Sequence, residues 1–138
     1  MLTRRDTLAI GLGASAVAML PVTAMATPVD DAIAAFTGGA EMADTGIAIT
    51  APEIAENGNT VPISIDAAGA TEIMIIATGN PTPSVGRFMF GEAAGNAMIA
   101  TRIRLGGTQD VMAIAKMADG SFASTRVEVK VTIGGCGG

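Results

Sequence analysis

There is no histidine in this chain, and no tryptophan or tyrosine. The missing histidine removes the commonest general base near neutral pH and the commonest nitrogen ligand for metals. A serine or cysteine protease centre of the usual kind cannot be assembled from this chain alone. Stacking on a base or a sugar falls to Phe36, Phe88, Phe90 and Phe122. Cysteine is nearly absent as well: Cys136 is the only one in 138 residues. A single cysteine cannot close an internal disulfide. It is a reactive thiol, a pairing point for another molecule, or a place to carry something. Basic residues are few, eight against thirteen acidic, for a net charge of −5. That balance argues against nucleic acid and anionic membranes as partners.

Met1 to Asp6 carries Arg4-Arg5, Thr7 to Leu20 is apolar and small, and Ala24-Met25-Ala26 is a small-x-small cleavage pattern. Residues 1–26 therefore read as an export signal, too short for a membrane span. Thr3-Arg4-Arg5-Asp6-Thr7-Leu8 looks like a twin-arginine signal, the route taken by proteins that fold before export. An ordinary secretory signal holding two arginines is the alternative. Cleavage after Ala26 leaves 112 residues, six basic and twelve acidic, at a charge of −6. That is enough chain for one domain, residues 27–133, with one core. The 49% hydrophobic content is inflated by the signal and does not indicate a membrane protein.

Thr27-Pro28 can cap and start a helix of about ten residues, with Asp30 and Asp31 in its first turn and Gly38-Gly39 at its end. From Gly46 onward the signals are strand signals. Val61, Ile63 and Ile65 alternate with Pro62, Ser64 and Asp66. Glu72-Ile73-Met74-Ile75-Ile76-Ala77 is continuously apolar after its first residue, so both faces should be covered. Because a domain this small struggles to do that, the run predicts an obligate heterodimer with an apolar interface. Arg87 to Phe90 is a short strand. Ala97 to Leu105 puts Ile99, Ile103 and Leu105 on one face and Arg102 and Arg104 on the other. Val111 to Met117 is followed by an Asp119-Gly120 hairpin signal. Phe122 opens a long alternating strand that ends at Ile133. About seven strands at spacings of roughly 8 to 14 residues predict an all-β fold, an immunoglobulin-like antiparallel β-sandwich.

After Ile133 come Gly134-Gly135-Cys136-Gly137-Gly138. Glycine costs a folded segment backbone entropy and packs nothing, so residues 134–138 read as a flexible arm holding a thiol away from the body. A solvated thiol has a pKa near 8.5, and the arm offers no Lys, Arg or helix terminus to lower it. Cys136 is thus a poor catalyst on its own body but suits covalent substrate attachment, its chemistry completed in another protein's pocket. Flanking glycines let a thin backbone enter a narrow channel. Glu41, Asp44, Glu53 and Glu56 match no calcium-loop spacing and read as a solvated acidic face. Arg102 and Arg104 read as surface charge before anion site, and the nine methionines as gap fillers before metal ligands. No metal or cofactor is called for.

Two stretches carry a family resemblance. Pro52-Glu53-Ile54-Ala55-Glu56-Asn57-Gly58-Asn59-Thr60-Val61-Pro62 resembles the characteristic early segment of SoxY, a family of sulfur-oxidation carrier proteins. Gly134-Gly135-Cys136-Gly137-Gly138 resembles its substrate-bearing swinging arm. The resemblance implies an immunoglobulin-like body paired with a second β-sandwich, the SoxZ subunit, and thiosulfate-derived sulfur held on Cys136. It implies transient partners too: a c-type haem SoxXA-like enzyme that makes the cysteine–sulfur bond, a manganese SoxB-like hydrolase that removes sulfate, and a molybdenum SoxCD-like enzyme that oxidises the remaining sulfur. The carrier itself would hold no cofactor and would work in the periplasm. A ubiquitin-like cytosolic sulfur carrier also ends in Gly-Gly, but it lacks an export signal. A structural sandwich using Cys136 only for an intermolecular disulfide is the other alternative.

Overall fold

A computed structural model describes residues 27–133. The export-signal reading of residues 1–26 with Arg4 and Arg5, and the arm formed by Gly134, Gly135, Cys136, Gly137 and Gly138, lie outside the described residues.

The chain opens with helix α1, Pro28–Thr37. Thr27 caps it: its hydroxyl accepts from the Asp30 N–H, and the Asp30 carboxylate accepts from the Thr27 N–H at 3.2 Å. Pro28 sits where no intrahelical donor is needed. Gly38 ends the helix in the left-handed region at φ 67°, donating to the Ala34 carbonyl. These are the boundaries that the capping residues predict.

Nine strands follow: β1 Met42–Ala43, β2 Ala48–Thr50, β3 Ile54–Ala55, β4 Val61–Asp66, β5 Ala70–Ala77, β6 Ser84–Met89, β7 Met98–Ile103, β8 Gln109–Met117 and β9 Phe122–Val131. They form two sheets. The larger runs β1-β9-β8-β5-β6, with β3 added to β9; the smaller runs β2-β4-β7. Two strands beyond the seven expected are β1 and β3, two residues each, paired parallel with opposite ends of β9. Pieces that short have no periodicity to read. Every other ladder is antiparallel.

The core lies between the sheets. Val61, Ile63 and Ile65 of β4 and Ile99 and Ile103 of β7 face Ile73 and Ile75 of β5, Val111 and Ala113 of β8 and Val129 of β9. Fully burying one such side chain contributes about 2 kcal/mol. A second cluster sits on the other face of the large sheet, where Met74, Ile76, Met112, Ile114 and Phe122 meet Val29, Ala32, Ile33 and Phe36 of α1. Phe36 packs edge-on against Phe122 with ring centroids 5.7 Å apart.

That second cluster corrects the argument for a dimer drawn from the run at 74–76. Both faces of β5 are covered within the chain, one by the opposing sheet and one by the helix, and Met74, Ile75 and Ile76 are all buried. In the sequence Ile33 and Phe36 mark only a small apolar side on this helix, which does not announce such a cover. Exposed large apolar side chains lie elsewhere: Ile54, Val85, Met89, Met98 and Ile133. Among the described residues no helix is long and apolar enough to cross a membrane.

Candidate functional site

The last rungs of β9 are where the body hands over to the cysteine-bearing segment. Along most of its length β9 pairs with β8, from Phe122 opposite Lys116 to Val129 opposite Gln109. Beyond that rung the backbone of β8 has ended. The Thr108 hydroxyl takes its place and accepts from the Val131 N–H at 2.9 Å. On the other side, β3 and the turn after it provide the partners. The Lys130 N–H donates to the Glu53 carbonyl at 3.0 Å, and the Thr132 N–H to the Ala55 carbonyl at 3.1 Å. The Thr132 hydroxyl lies 3.1 Å from the Glu56 carbonyl. The Ile133 carbonyl then accepts from the Gly58 N–H at 2.7 Å.

The 52–62 stretch is therefore the surface against which the end of β9 is fastened. Asn57-Gly58-Asn59 reads as a turn in the sequence, and the Asn57 side chain accepts from the Asn59 N–H at 3.0 Å. The turn does more than reverse the chain. Buried Gly58 gives its N–H to Ile133 and its carbonyl to the Leu105 N–H, each at 2.7 Å.

Two side chains stabilise this end of the sandwich from behind. Gln109 is 8% exposed. Its Oε1 accepts from the Gly79 N–H, and its Nε2 donates to Asn80 Oδ1 and to the Gly107 carbonyl. Asn80 in turn accepts from the Gly106 N–H and donates to the Arg104 carbonyl. The pair rivets the 79–83 loop to the 104–109 segment and thereby supports the strand end. Neither Asn80 nor Gln109 stands out in the sequence as a functional residue. A polar residue opening an apolar strand was the signal available.

The other sequence candidates do not gather here into one centre. Arg102 and Arg104 are exposed, and among the described residues no group of acidic side chains or cysteine is spaced to hold a metal ion. A concavity of about 390 Å³ lies at the opposite part of β9, lined by Met42, Asp44, Met112, Ser124, Thr125 and Arg126. Arg126 stands seven residues before Ile133 on the chain, roughly 23 Å along an extended strand. Cys136 is three residues past Ile133, a reach of about 10 Å. The thiol cannot enter that concavity.

What this end can do chemically is limited and definite. Among the described residues it gathers no cluster of metal-ligating side chains; what it does is hold a strand terminus in place. The sequence matches the family described as sulfur oxidation protein SoxY over residues 33–136. The fold is similar to that of the sulfur carrier protein SoxY from Chlorobium limicola f thiosulfatophilum, at 35% identity and a TM-score of 0.67, covering 77% of this chain and 97% of that one. It is also similar to a superoxide reductase (neelaredoxin) variant from Ignicoccus hospitalis, at 18% identity and a TM-score of 0.54, covering 68% and 84%. At that identity the second likeness concerns the fold alone. No curated protein matches the sequence.

Proposed function

Since the chain belongs to the SoxY family of sulfur oxidation proteins, we propose that it is a periplasmic carrier that holds thiosulfate-derived sulfur on Cys136 and presents it to other enzymes. The observation that carries the proposal is the placement of the only cysteine. It stands three residues beyond a strand end fastened from both sides, inside the span that matches the family.

The chemistry is divided accordingly. Joining the Cys136 thiol to the terminal sulfur of thiosulfate forms an S–S bond and releases one proton and two electrons, which need an acceptor; a c-type haem SoxXA-like enzyme fits that role. Water then takes the sulfonate group as sulfate and leaves a persulfide on the cysteine, a step suited to a manganese SoxB-like hydrolase. Oxidation of the remaining sulfur falls to a molybdenum SoxCD-like enzyme. This chain contributes the thiol and its placement, and acts as an enzyme in none of these steps.

A SoxZ-like β-sandwich is the proposed constant partner. The outer face of the small sheet supports that reading. Ala48, Thr50, Pro62, Ser64, Met98 and Ala100 are exposed there side by side. Asp66, between Ala48 and Met98, and Arg102, opposite Pro62, are the charged residues of this face and stand at its two ends. A central patch of small, uncharged side chains with charge at its margins suits sheet-on-sheet packing.

The test is the intact mass of the protein isolated without reductant, and again after reduction. A reductant-labile sulfur increment that disappears in Cys136→Ser is the expected result. A doubled mass instead of a small increment would favour an intermolecular disulfide. Thiosulfate-dependent turnover retained by Cys136→Ser would end the carrier reading.

A further inference from the structure

We infer that the contacts at the end of β9 form a clamp that sets the length of the thiol's tether, with Thr108, Thr132 and Gly58 as positioning residues for sulfur transfer. The inference rests on the carrier reading above.

A strand that ends at the surface frays by default, because its last rungs open at little cost. Here Val131, Thr132 and Ile133, which follow buried Val129 and exposed Lys130, are each held. Val131 is held on the β8 side by a threonine hydroxyl standing in for a backbone carbonyl. Thr132 is held on the β3 side through both its N–H and its hydroxyl. Ile133 is held through its carbonyl by Gly58. Thr108, Thr132 and Ile133 are exposed, so these bonds add nothing to the core. Their effect is local: they decide at which residue the chain departs.

The consequence is a matter of tether length. With the clamp closed, Cys136 stands three positions past the last fastened residue; opened back to buried Val129, it stands seven positions past. The effective concentration of a tethered group falls roughly as the −3/2 power of tether length. Growth from three residues to seven therefore costs up to about fourfold in thiol concentration at a docked enzyme's active site.

The test is Thr108→Val combined with Thr132→Val in the full exported protein with its partner subunit, against the matching serine pair. Valine removes the hydroxyls and keeps the shape, while serine keeps the hydroxyls. Amide exchange at Val131 and Thr132 should accelerate in the valine protein and not in the serine one. In thiosulfate loading by the haem enzyme, kcat should fall, by less than the about fourfold of a fully opened clamp, because the backbone bonds of Lys130, Thr132 and Gly58 remain. KM should stay unchanged, because the docking surface is intact. Reaction of Cys136 with a small disulfide reagent should be equal in all three proteins. A merely structural role would lower stability and leave kcat of the folded protein alone. Loading that is equal in the unaltered and valine proteins would overturn the clamp and leave the carrier reading standing. Absence of loading in the unaltered protein would overturn the carrier reading and the clamp's role in transfer with it.

Discussion

Gln109 is a polar side chain in a place where polarity has to be justified. Its three contacts reach across from the strand to the neighbouring loops: the Gly79 N–H, Asn80 and the Gly107 carbonyl. A Cβ on Gly79 would stand 3.0 Å from the Gln109 Cβ, so the loop also needs a glycine at that approach. Gln109→Ala should lower the free energy of unfolding by about 2 kcal/mol, since it removes three hydrogen bonds made by one buried side chain. Urea unfolding of the two proteins measures it. Gly79→Ala should also destabilise, because the obstructing atoms include the Gln109 Cβ, which cannot swing aside. Of this end of the molecule, the sequence revealed Cys136 and the turn at 56–59. A lone cysteine and a Gly/Asn cluster are statements about single residues. The Gln109–Asn80 rivet joins residues 29 apart, and no local pattern announces it.

At the scale of elements, α1 is the piece whose worth the sequence understated. Its limits were legible because Thr27, Pro28 and Gly38 each act within one turn. Its task was not, because the face it covers belongs to strands far along the chain. Phe36→Ala should cost about 3 kcal/mol, removing most of the helix's grip on Phe122 and the perch of the Arg87 guanidinium, 5.3 Å from the ring centre. Exposure of Met74 and Ile76 should follow, detected as increased binding of a hydrophobic dye. The cap adds a dependence on acidity. Hydrogen bonds from the Thr27 hydroxyl and N–H hold the Asp30 carboxyl below its usual range. A group with a depressed folded pKa stabilises fully above its unfolded value, about 3.9, and loses that support as pH falls through the lower folded value. Helicity from α1 should thus persist down to mildly acid pH and decline below it. In Asp30→Ala the acid-dependent component should be missing from thermal melts taken across that range.

At the scale of the whole molecule, the two-sheet architecture was legible from alternation, and the two sheets differ in how they are covered. The large sheet has its helix. The outer face of the small one is open in the single chain, which is where a second sandwich would be accommodated. Replacing Ala100 with Arg, flanked by Ser64 on the neighbouring strand, should weaken pairing with a SoxZ-like subunit at least tenfold, the usual reach of about 1.4 kcal/mol, while leaving the fold intact. Analytical ultracentrifugation of the mixed subunits distinguishes this from unfolding. If the proposed pairing precedes export, a twin-arginine route would suit it, since that route moves folded cargo. Arg4→Lys with Arg5→Lys should leave both subunits in the cytoplasm, where the thiol stays reduced. Fractionation of the two compartments measures it; a partner that still arrives would refute joint export.

β9, the strand from which the cysteine hangs, has a mechanical consequence. It shares eight paired positions with β8 and is held at both ends by short parallel strands. A tug along its axis loads those rungs side by side, as in a lap joint, whereas a tug across the sheet would peel them in turn. Phe122, Lys116, Glu72 and Met89 stand in one row across the far end of the sheet. Pulling with handles on Gly138 and Met89 therefore shears the joint, and pulling with handles on Gly138 and Gly79 peels it. Single-molecule rupture should need distinctly more force in the first geometry than in the second. A thiol withdrawn from a deep channel along the strand's own line then strains the anchorage in its strong direction, and the body can be pulled away without coming apart.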